Sequence, residues 1–210
     1  MSDIRKVAVL GTGVLGSQIA FQTAYSGFDV VAYDISEEAL TAARQRFAGL
    51  AALYEKEVAG AADGTAQAAL ATIRYSSDLG DAVANADLVI EAVPENLDLK
   101  RDIYTRLGEL APAKTIFATN SSTLLPSDLV GYTGRPQKFL ALHFANHVWV
   151  NNTAEVMGTT QTDPAVYQAV VDFATAIGMV PIELKKEKAG YVLNSLLVPL
   201  LDAAAELLVD

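Results

Sequence analysis

The chain has 210 residues, of which 51% are apolar and 19% charged, and it carries a formal net charge of −10 and no cysteine. A chain this apolar can bury a substantial core, so global disorder is excluded. Its acidity argues against nucleic acid or an anionic membrane as a partner, and the lack of cysteine excludes disulfides, thiolate zinc sites and a catalytic thiol.

Apolar runs typical of buried strands alternate with segments of helical periodicity along the chain. Residues 6–10 (KVAVL) and 29–33 (DVVAY) are the first two predicted strands. The helix between them ends before Gly27, and a second helix begins at the capping residue Ser36 and leads to a loop at 60–65. Further strands are predicted at 73–75, 87–92, 115–119, 139–144, 155–157 and 179–184, and further helices at 98–110, 124–130, 164–177 and from 190 to the end.

The last predicted helix is apolar around much of its circumference. Such a helix is normally buried, so we expect it to belong to a second, helical unit or to an oligomer interface. The expected boundary places one domain at 1–187 and the start of another at 188–210. Asp202 and Glu206 lie within this apolar stretch, and because acidic groups are costly in a bilayer, no membrane span is expected.

The N-terminal apolar run stops at Gly11, which is too early for the core of a secretion signal. Cysteine is absent, which fits a reducing compartment. We therefore expect a cytoplasmic protein.

The motif GTGVLG at residues 11–16 is the strongest local pattern in the chain. Gly11 allows a tight turn, Gly13 lets backbone N–H groups approach a pyrophosphate, and Gly16 lets the helix pack closely on the strand. Asp34 ends the second strand 18 residues after Gly16, where its carboxylate suits ribose hydroxyls and repels a 2′-phosphate. The pattern predicts a Rossmann-type, doubly wound, mostly parallel α/β sheet that binds NAD in preference to NADP. FAD and a glycine turn without a ligand are the alternatives.

A histidine and a glutamate are the candidate catalytic pair. His143 ends a predicted strand, at the edge where open α/β sheets bind ligands, and Glu155 follows 12 residues later. Such a pair suits oxidation of an alcohol, because a neutral imidazole takes the hydroxyl proton and a carboxylate fixes its tautomer. A purely structural histidine is the alternative from these residues alone, and no metal site is predicted.

Further polar residues lie at a strand end and on the last helix. Residues 119–123 (TNSST) place five hydrogen-bonding side chains in a row, which suits a substrate oxygen or the nicotinamide ribose. One of them is also expected to cap the helix at 124–130. Asn194 is polar on an apolar helix and would need partners if buried, while His147 is interpreted as loop structure or pocket wall.

Several motifs, taken in order, resemble the L-3-hydroxyacyl-CoA dehydrogenase family from about Lys6 to the end of the chain. They are GTGVLG with Asp34, EAVPENLDLK (91–100), ATNSSTL (118–124), LHFAN (142–146), AEV (154–156) and AGYVLNSLLVP (189–199). The resemblance implies NAD as cofactor and the reversible oxidation of an L-3-hydroxyacyl-CoA to the 3-ketoacyl-CoA. It also implies a place in fatty acid β-oxidation and a homodimer formed through the C-terminal helical region.

The resemblance also assigns roles to individual residues. The implied catalytic set is His143 as general base, Glu155 as its orienting partner, Ser122 at the substrate 3-oxygen and Asn194 beside the reacting centre. The implied cofactor-binding set is Gly11, Gly13, Val14, Leu15, Gly16, Asp34, Ala92, Glu95, Lys100, Asn120 and Asn146.

Departures from the family pattern leave the substrate open. Trp149 stands near the position of prolines in the family and is expected to narrow the acyl pocket. The family's CoA-contacting lysine cluster is reduced here to YEKE at 54–57. The resemblance further implies that residues 188–210 are the first helix of an all-α domain, which is expected to be truncated here. A free 3-hydroxy acid, such as a sugar acid or a carnitine-like compound, is therefore the alternative substrate. A non-catalytic NAD-binding module is the alternative outside the enzymes.

Overall fold

The computed structural model of the chain describes residues 4–209. The strands are β1 (Lys6–Leu10), β2 (Asp29–Tyr33), β3 (Arg74–Ser76), β4 (Leu88–Glu91), β5 (Ile116–Thr119), β6 (Phe139–Phe144), β7 (Thr153–Gly158) and β8 (Val180–Leu184). They form one sheet in the order β3-β2-β1-β4-β5-β6-β7-β8. Strands β1 to β6 are mutually parallel, whereas β7 runs antiparallel to β6 and β8 runs parallel to β7. The predicted mostly parallel, doubly wound α/β sheet is confirmed.

Helices cover both faces of this sheet. They are α1 (Val14–Tyr25), α2 (Glu37–Glu57), α3 (Thr65–Thr72), α4 (Leu79–Val83), α5 (Leu97–Leu110), α6 (Pro164–Ala176) and α7 (Leu193–Val209). Alternate residues of β1 show the two layers, because Val7 and Val9 belong to one apolar cluster while Ala8 and Leu10 belong to another. Burial on both faces explains why the strands are continuous apolar runs.

Side-chain caps begin several of the helices, and the one expected at Ser36 is present. Ser36 accepts a hydrogen bond from the amide of Ala39 (3.2 Å) at the start of α2. Asp163 caps α6, with Pro164 at the first helical position, where its missing N–H carries no penalty.

The structure differs from the predicted segments at 60–65 and 124–130 and adds a short helix that was not predicted. The loop expected at 60–65 ends at Thr65, where the unpredicted helix α3 begins. The helix expected at 124–130 is wrong: the segment forms 3-10 turns at Pro126–Asp128 and Val130–Tyr132. Pro126 explains this difference, because proline lacks an N–H and disfavours helical geometry in the residue before it. The short helix α4 was also unpredicted, although Asp78 caps it.

The last helix begins at Leu193 rather than at the predicted Gly190. Gly190 and Tyr191 have φ angles of 77° and 52°, which a right-handed helix does not allow. Asp210, the predicted end, lies outside the described residues. Leu196, Leu200 and other apolar side chains of α7 are exposed, and the domain boundary at 187/188 stays a prediction. None of the described helices has the length and apolar character needed to cross a membrane.

Candidate active site

At two of the three glycines of the GTGVLG motif, the backbone leaves no room for a side chain. Gly11 has a φ of 91°, and a Cβ there would lie 2.7 Å from the carbonyl oxygen of Ala92. A Cβ at Gly16 would lie 1.9 Å from the carbonyl oxygen of Gly11. A Cβ at Gly13, by contrast, would meet no described atom within 4 Å. The space left open beside the first amides of α1 is where a helix N-terminus holds a pyrophosphate.

Asp34 lies at the same edge of the sheet, directly after β2. Its carboxylate accepts hydrogen bonds from the amide (2.8 Å) and the hydroxyl (2.5 Å) of Thr12. A cavity of about 550 Å³ opens here, and its lining includes Gly11, Gly13, Asp34 and Ala92. A carboxylate beside a glycine turn and a helix N-terminus is the combination that recognises a dinucleotide, so these residues fit NAD.

His143 and Glu155 face each other across two antiparallel strands. They are partners in the register of β6 and β7, and Nδ1 of His143 lies 2.7 Å from Oε2 of Glu155. The two side chains are 8% and 0% exposed, so water does not compete for this contact. An ionised carboxylate at Nδ1 makes that nitrogen the protonated one in a neutral imidazole, which leaves Nε2 as the free base.

The second carboxylate oxygen of Glu155 is held by the backbone at the start of α7. Oε1 accepts hydrogen bonds from the amides of Val192 (2.7 Å) and Leu193 (2.9 Å). Burial raises the pKa of Glu155, but the hydrogen bonds from His143 and from the two amides outweigh it and hold the pKa below its usual value. The carboxylate is therefore ionised at neutral pH and satisfies three donors at once.

A cavity of about 690 Å³ lies beside this pair. Its lining is Leu15, Ser122, His143, Phe144, Ala145, Asn146, Asn151, Leu193, Asn194, Leu196, Leu197 and Leu200. Asn194 Nδ2 donates to the carbonyl oxygen of Ser122 (3.3 Å). Asn120 is not among these lining residues but contacts one of them, because its Oδ1 accepts a hydrogen bond from the amide of Phe144 (2.9 Å). The structure thus brings three of the four predicted catalytic residues to one cavity, with Glu155 behind His143.

Glu95 and Lys100 belong to a polar network at the ends of β4 and β5. Nζ of Lys100 lies 2.5 Å from Oε1 of Glu91 and 3.3 Å from Oε2 of Glu95. Glu91 also accepts hydrogen bonds from the hydroxyls of Thr119 (2.8 Å) and Tyr104 (3.3 Å). The predicted site residues do not include Glu91 or Tyr104, whereas Thr119 is the first residue of the predicted polar row at 119–123. An acid at the end of an apolar strand, shortly before a lysine, is the sequence signal that points to Glu91.

Trp149 does not line the cavity beside His143, so the expected narrowing of the pocket is wrong. Its indole Nε1 donates to Glu57 (2.8 Å), and its ring centroid lies 5.3 Å from that of Tyr54, at the end of α2. The chain turns away at His147, which has a φ of 59° and whose amide donates to Oε1 of Gln18 (2.7 Å). His147 is exposed on this loop.

Comparison with known families places these features in one context. A family model described as "3-hydroxyacyl-CoA dehydrogenase, NAD binding domain" matches residues 6–188, a span that includes both the glycine turn and the His143–Glu155 pair. The human "Hydroxyacyl-coenzyme A dehydrogenase, mitochondrial" is 35% identical over 208 residues, which cover 97% of this chain and 66% of the relative. The "L-carnitine dehydrogenase" of Pseudomonas putida is 32% identical over 210 residues, which cover 100% of this chain and 64% of the relative.

The chain therefore spans slightly less than two thirds of these curated relatives. A solved structure described as "Substrate-directed dual catalysis of dicarbonyl compounds by diketoreductase" is more similar in sequence. It is 83% identical, with a TM-score of 0.97, and the match covers 100% of this chain and 74% of that one.

Proposed function

The chain belongs to the 3-hydroxyacyl-CoA dehydrogenase family of NAD-binding oxidoreductases, and from this premise we propose that it interconverts small dicarbonyl compounds and their hydroxy-carbonyl counterparts. In reduction, one keto group of the substrate becomes a secondary alcohol, and oxidation reverses the change. The observation that carries the proposal is the buried His143–Glu155 contact of 2.7 Å, with His143 at the wall of a cavity that Ser122 and Asn194 also line.

His143 is the general base of the oxidation and the general acid of the reduction. Its Nε2 takes the hydroxyl proton of the substrate while the C–H bond on the same carbon breaks with its electron pair. Bound NAD supplies the acceptor of that hydride. Glu155 keeps Nδ1 protonated and stabilises the imidazolium that forms. In the reduction, the imidazolium returns its proton to the oxygen of the new alcohol.

Ser122 acts on the substrate oxygen, and Asn194 supports the position of Ser122. The Ser122 hydroxyl serves as a hydrogen-bond donor to the reacting oxygen, on which negative charge grows during hydride transfer. Asn194 holds the loop that carries Ser122 through its 3.3 Å contact with the Ser122 carbonyl oxygen. On the cofactor side, Glu95, Lys100 and Asn120 are proposed to lie near the nicotinamide, as the family resemblance implies.

The charges around the cavity favour an uncharged substrate over a CoA thioester. No lysine or arginine is among the described residues that line it, and CoA phosphates need cationic partners. The end of α2 offers Lys56 only between two acids, and Glu57 there already accepts the Trp149 indole N–H. The 83% identity to a diketoreductase described as acting on dicarbonyl compounds supports the same substrate class.

An acyl-CoA thioester is the second candidate, and the human relative named for that activity supports it. A free 3-hydroxy acid is favoured by the carnitine dehydrogenase relative. Because no cationic side chain is among the described residues that line the cavity, a substrate whose carboxylate binds there is disfavoured. A homodimer formed through α7, a cytoplasmic location and a role in fatty acid β-oxidation stay predictions.

The test compares four probes in the reductive direction: acetylacetone, ethyl acetoacetate, acetoacetate and acetoacetyl-CoA, with NADH consumption as the readout. We expect kcat/KM for the two uncharged compounds to exceed that for acetoacetyl-CoA at least about tenfold. His143→Ala should lower kcat by about 10²–10⁴-fold and leave the Kd of NADH unchanged. A preference for acetoacetyl-CoA would overturn the proposed substrate class. Full activity of His143→Ala would overturn the proposed role of His143 as the base. NADH binding without turnover of any probe would favour a non-catalytic NAD-binding module.

A further inference from the structure

The turn before α7 has an unusual backbone at an aromatic residue. Gly190 has a φ of 77° and Tyr191 a φ of 52°. The left-handed region is rarely occupied by bulky side chains, so the surrounding contacts must hold Tyr191 there. The next two amides, those of Val192 and Leu193, are the ones that bind Oε1 of Glu155. One short turn therefore binds the Glu155 carboxylate through two backbone amides and contacts His143 through the ring of Tyr191.

The Tyr191 ring lies against the imidazole of His143. The ring centroids are 4.9 Å apart and the planes are inclined by 36°. Tyr191 is 0% exposed, and it shares an apolar cluster with Ala141, Met157 and Leu184. The imidazole is consequently bounded by an aromatic ring in addition to the Glu155 carboxylate at Nδ1.

The hydroxyl of Tyr191 has no hydrogen-bond partner within residues 4–209, although it is buried. Burial raises the pKa of Tyr191, and the carboxylates of Glu95 and Glu155 raise it further. The phenol is therefore neutral at physiological pH. A buried hydroxyl without a partner costs free energy, so the contribution of Tyr191 to this site lies in its ring.

We propose that Tyr191 is a positioning residue for His143: its ring, placed by the left-handed turn, holds the imidazole with Nδ1 on Glu155 and Nε2 towards the cavity. This inference rests on the proposed role of His143 as the base. Rotation of the imidazole would break the 2.7 Å contact with Glu155 and turn Nε2 away from the substrate oxygen. The ring of Tyr191 opposes that rotation.

A residue that only fills the core would give a different result. If Tyr191 only filled the core, its replacement by a smaller residue would lower the free energy of unfolding and leave the orientation of the His143 imidazole unchanged. Tyr54→Leu is the control for loss of a buried aromatic ring, because Tyr54 is also 0% exposed and makes edge-to-face contacts with the rings of Phe21 and Tyr25. Tyr191→Phe keeps the ring and removes only the hydroxyl, whereas Tyr191→Leu removes the ring. Tyr191→Met is the substitute if the leucine variant does not fold.

Nuclear magnetic resonance with ¹⁵N-labelled histidine reads the tautomer directly. The chain has only two histidines, so His147→Gln assigns the spectrum. We expect wild type, Tyr191→Phe and Tyr54→Leu to show His143 protonated at Nδ1. Tyr191→Leu should show a mixture of tautomers, with kcat for acetylacetone at least about tenfold lower and the Kd of NADH unchanged.

An unchanged His143 tautomer and unchanged kcat in a folded Tyr191→Leu variant would overturn the inference. So would equal losses of kcat in Tyr191→Leu and Tyr54→Leu, which would indicate a general effect of core loss. Failure of the proposed function shows elsewhere, as full activity of His143→Ala or absence of dicarbonyl turnover in wild type. The tautomer measurement needs no turnover and separates the two cases.

Discussion

Glu91 and Lys100 form an ion pair that is shut off from water on both sides. Oε1 and Nζ are 2.5 Å apart, and the side chains are 0% and 1% exposed. Glu91→Gln would leave the Lys100 ammonium without its full counter-charge in a buried position. We expect a loss of about 3–5 kcal/mol in the free energy of unfolding, measured by urea denaturation, because removal of one partner of a buried pair exposes the desolvation cost of the other.

The control for this prediction is an ion pair of similar length at the surface. Glu183 and Lys185 lie 2.7 Å apart, with side chains 38% and 77% exposed. Glu183→Gln should change the free energy of unfolding by less than about 1 kcal/mol, since exposed pairs gain little. Equal losses in the two variants would show that burial of the Glu91–Lys100 pair does not govern its contribution.

Substitution of Gly16 and Gly13 by alanine distinguishes a glycine that the fold needs from one that only cofactor binding needs. A Cβ at Gly16 would lie 1.9 Å from the Gly11 carbonyl oxygen, whereas a Cβ at Gly13 would meet only open space among the described residues. Gly16→Ala should therefore lower both the melting temperature and NADH affinity. Gly13→Ala should leave the melting temperature within a few degrees of wild type and raise the Kd of NADH at least about tenfold, because the methyl group occupies the space of the pyrophosphate. Calorimetric titration and thermal unfolding measure the two effects, and unchanged NADH affinity in Gly13→Ala would place the pyrophosphate elsewhere.

The strands and long helices could be predicted because their signals are local. Apolar runs such as 139–144 and caps such as Ser36 or Asp163 depend on neighbouring residues alone. The helix wrongly predicted at 124–130 shows the limit of this approach, since Pro126 outweighs the apolar spacing there. The start of α7 also differs, because Tyr191 adopts a conformation that tertiary contacts impose.

Residues of the candidate site could be predicted only where a reactive side chain lies at a strand end or within a family motif. His143 meets both conditions and Glu155 meets the second, and the structure pairs the two residues in register. The backbone amides of Val192 and Leu193 carry no side-chain signal, so their contact with Glu155 is visible only in the structure. The orientation of Trp149 likewise depends on the positive φ of His147, which its residue type does not indicate.

The ionised carboxylate of Glu95 should stabilise the fold, so that thermal stability falls when this group is protonated at low pH. Partial burial raises its pKa, but hydrogen bonds from Ser121 and Thr123 and the charge of Lys100 outweigh it and lower the pKa from 4.5 to about 2. Because the folded value is the lower one, the contribution of the carboxylate is fully present above pH 4.5 and is lost as the pH falls towards 2. Glu95→Gln should therefore flatten the fall of the melting temperature in this range.

The measurement for Glu95 is the melting temperature as a function of pH, in wild type, Glu95→Gln and Glu109→Gln. Glu109 is exposed on α5, so its replacement serves as a control for the change in net charge. Parallel curves for wild type and Glu95→Gln, displaced only vertically, would contradict the prediction.

Glu155→Gln should abolish most of the turnover without weakening cofactor binding. The carboxylate uses Oε2 for His143 and Oε1 for the amides of Val192 and Leu193. A glutamine has one acceptor oxygen, so it can serve either the imidazole or the helix amides but not both. We expect kcat to fall by about 10²–10⁴-fold, as for loss of a group that fixes the tautomer of a catalytic histidine. Steady-state reduction of acetylacetone and calorimetric titration with NADH measure the two effects, with Glu109→Gln as the charge control. A raised Kd of NADH with little change in kcat would contradict the role of Glu155 as the partner of His143.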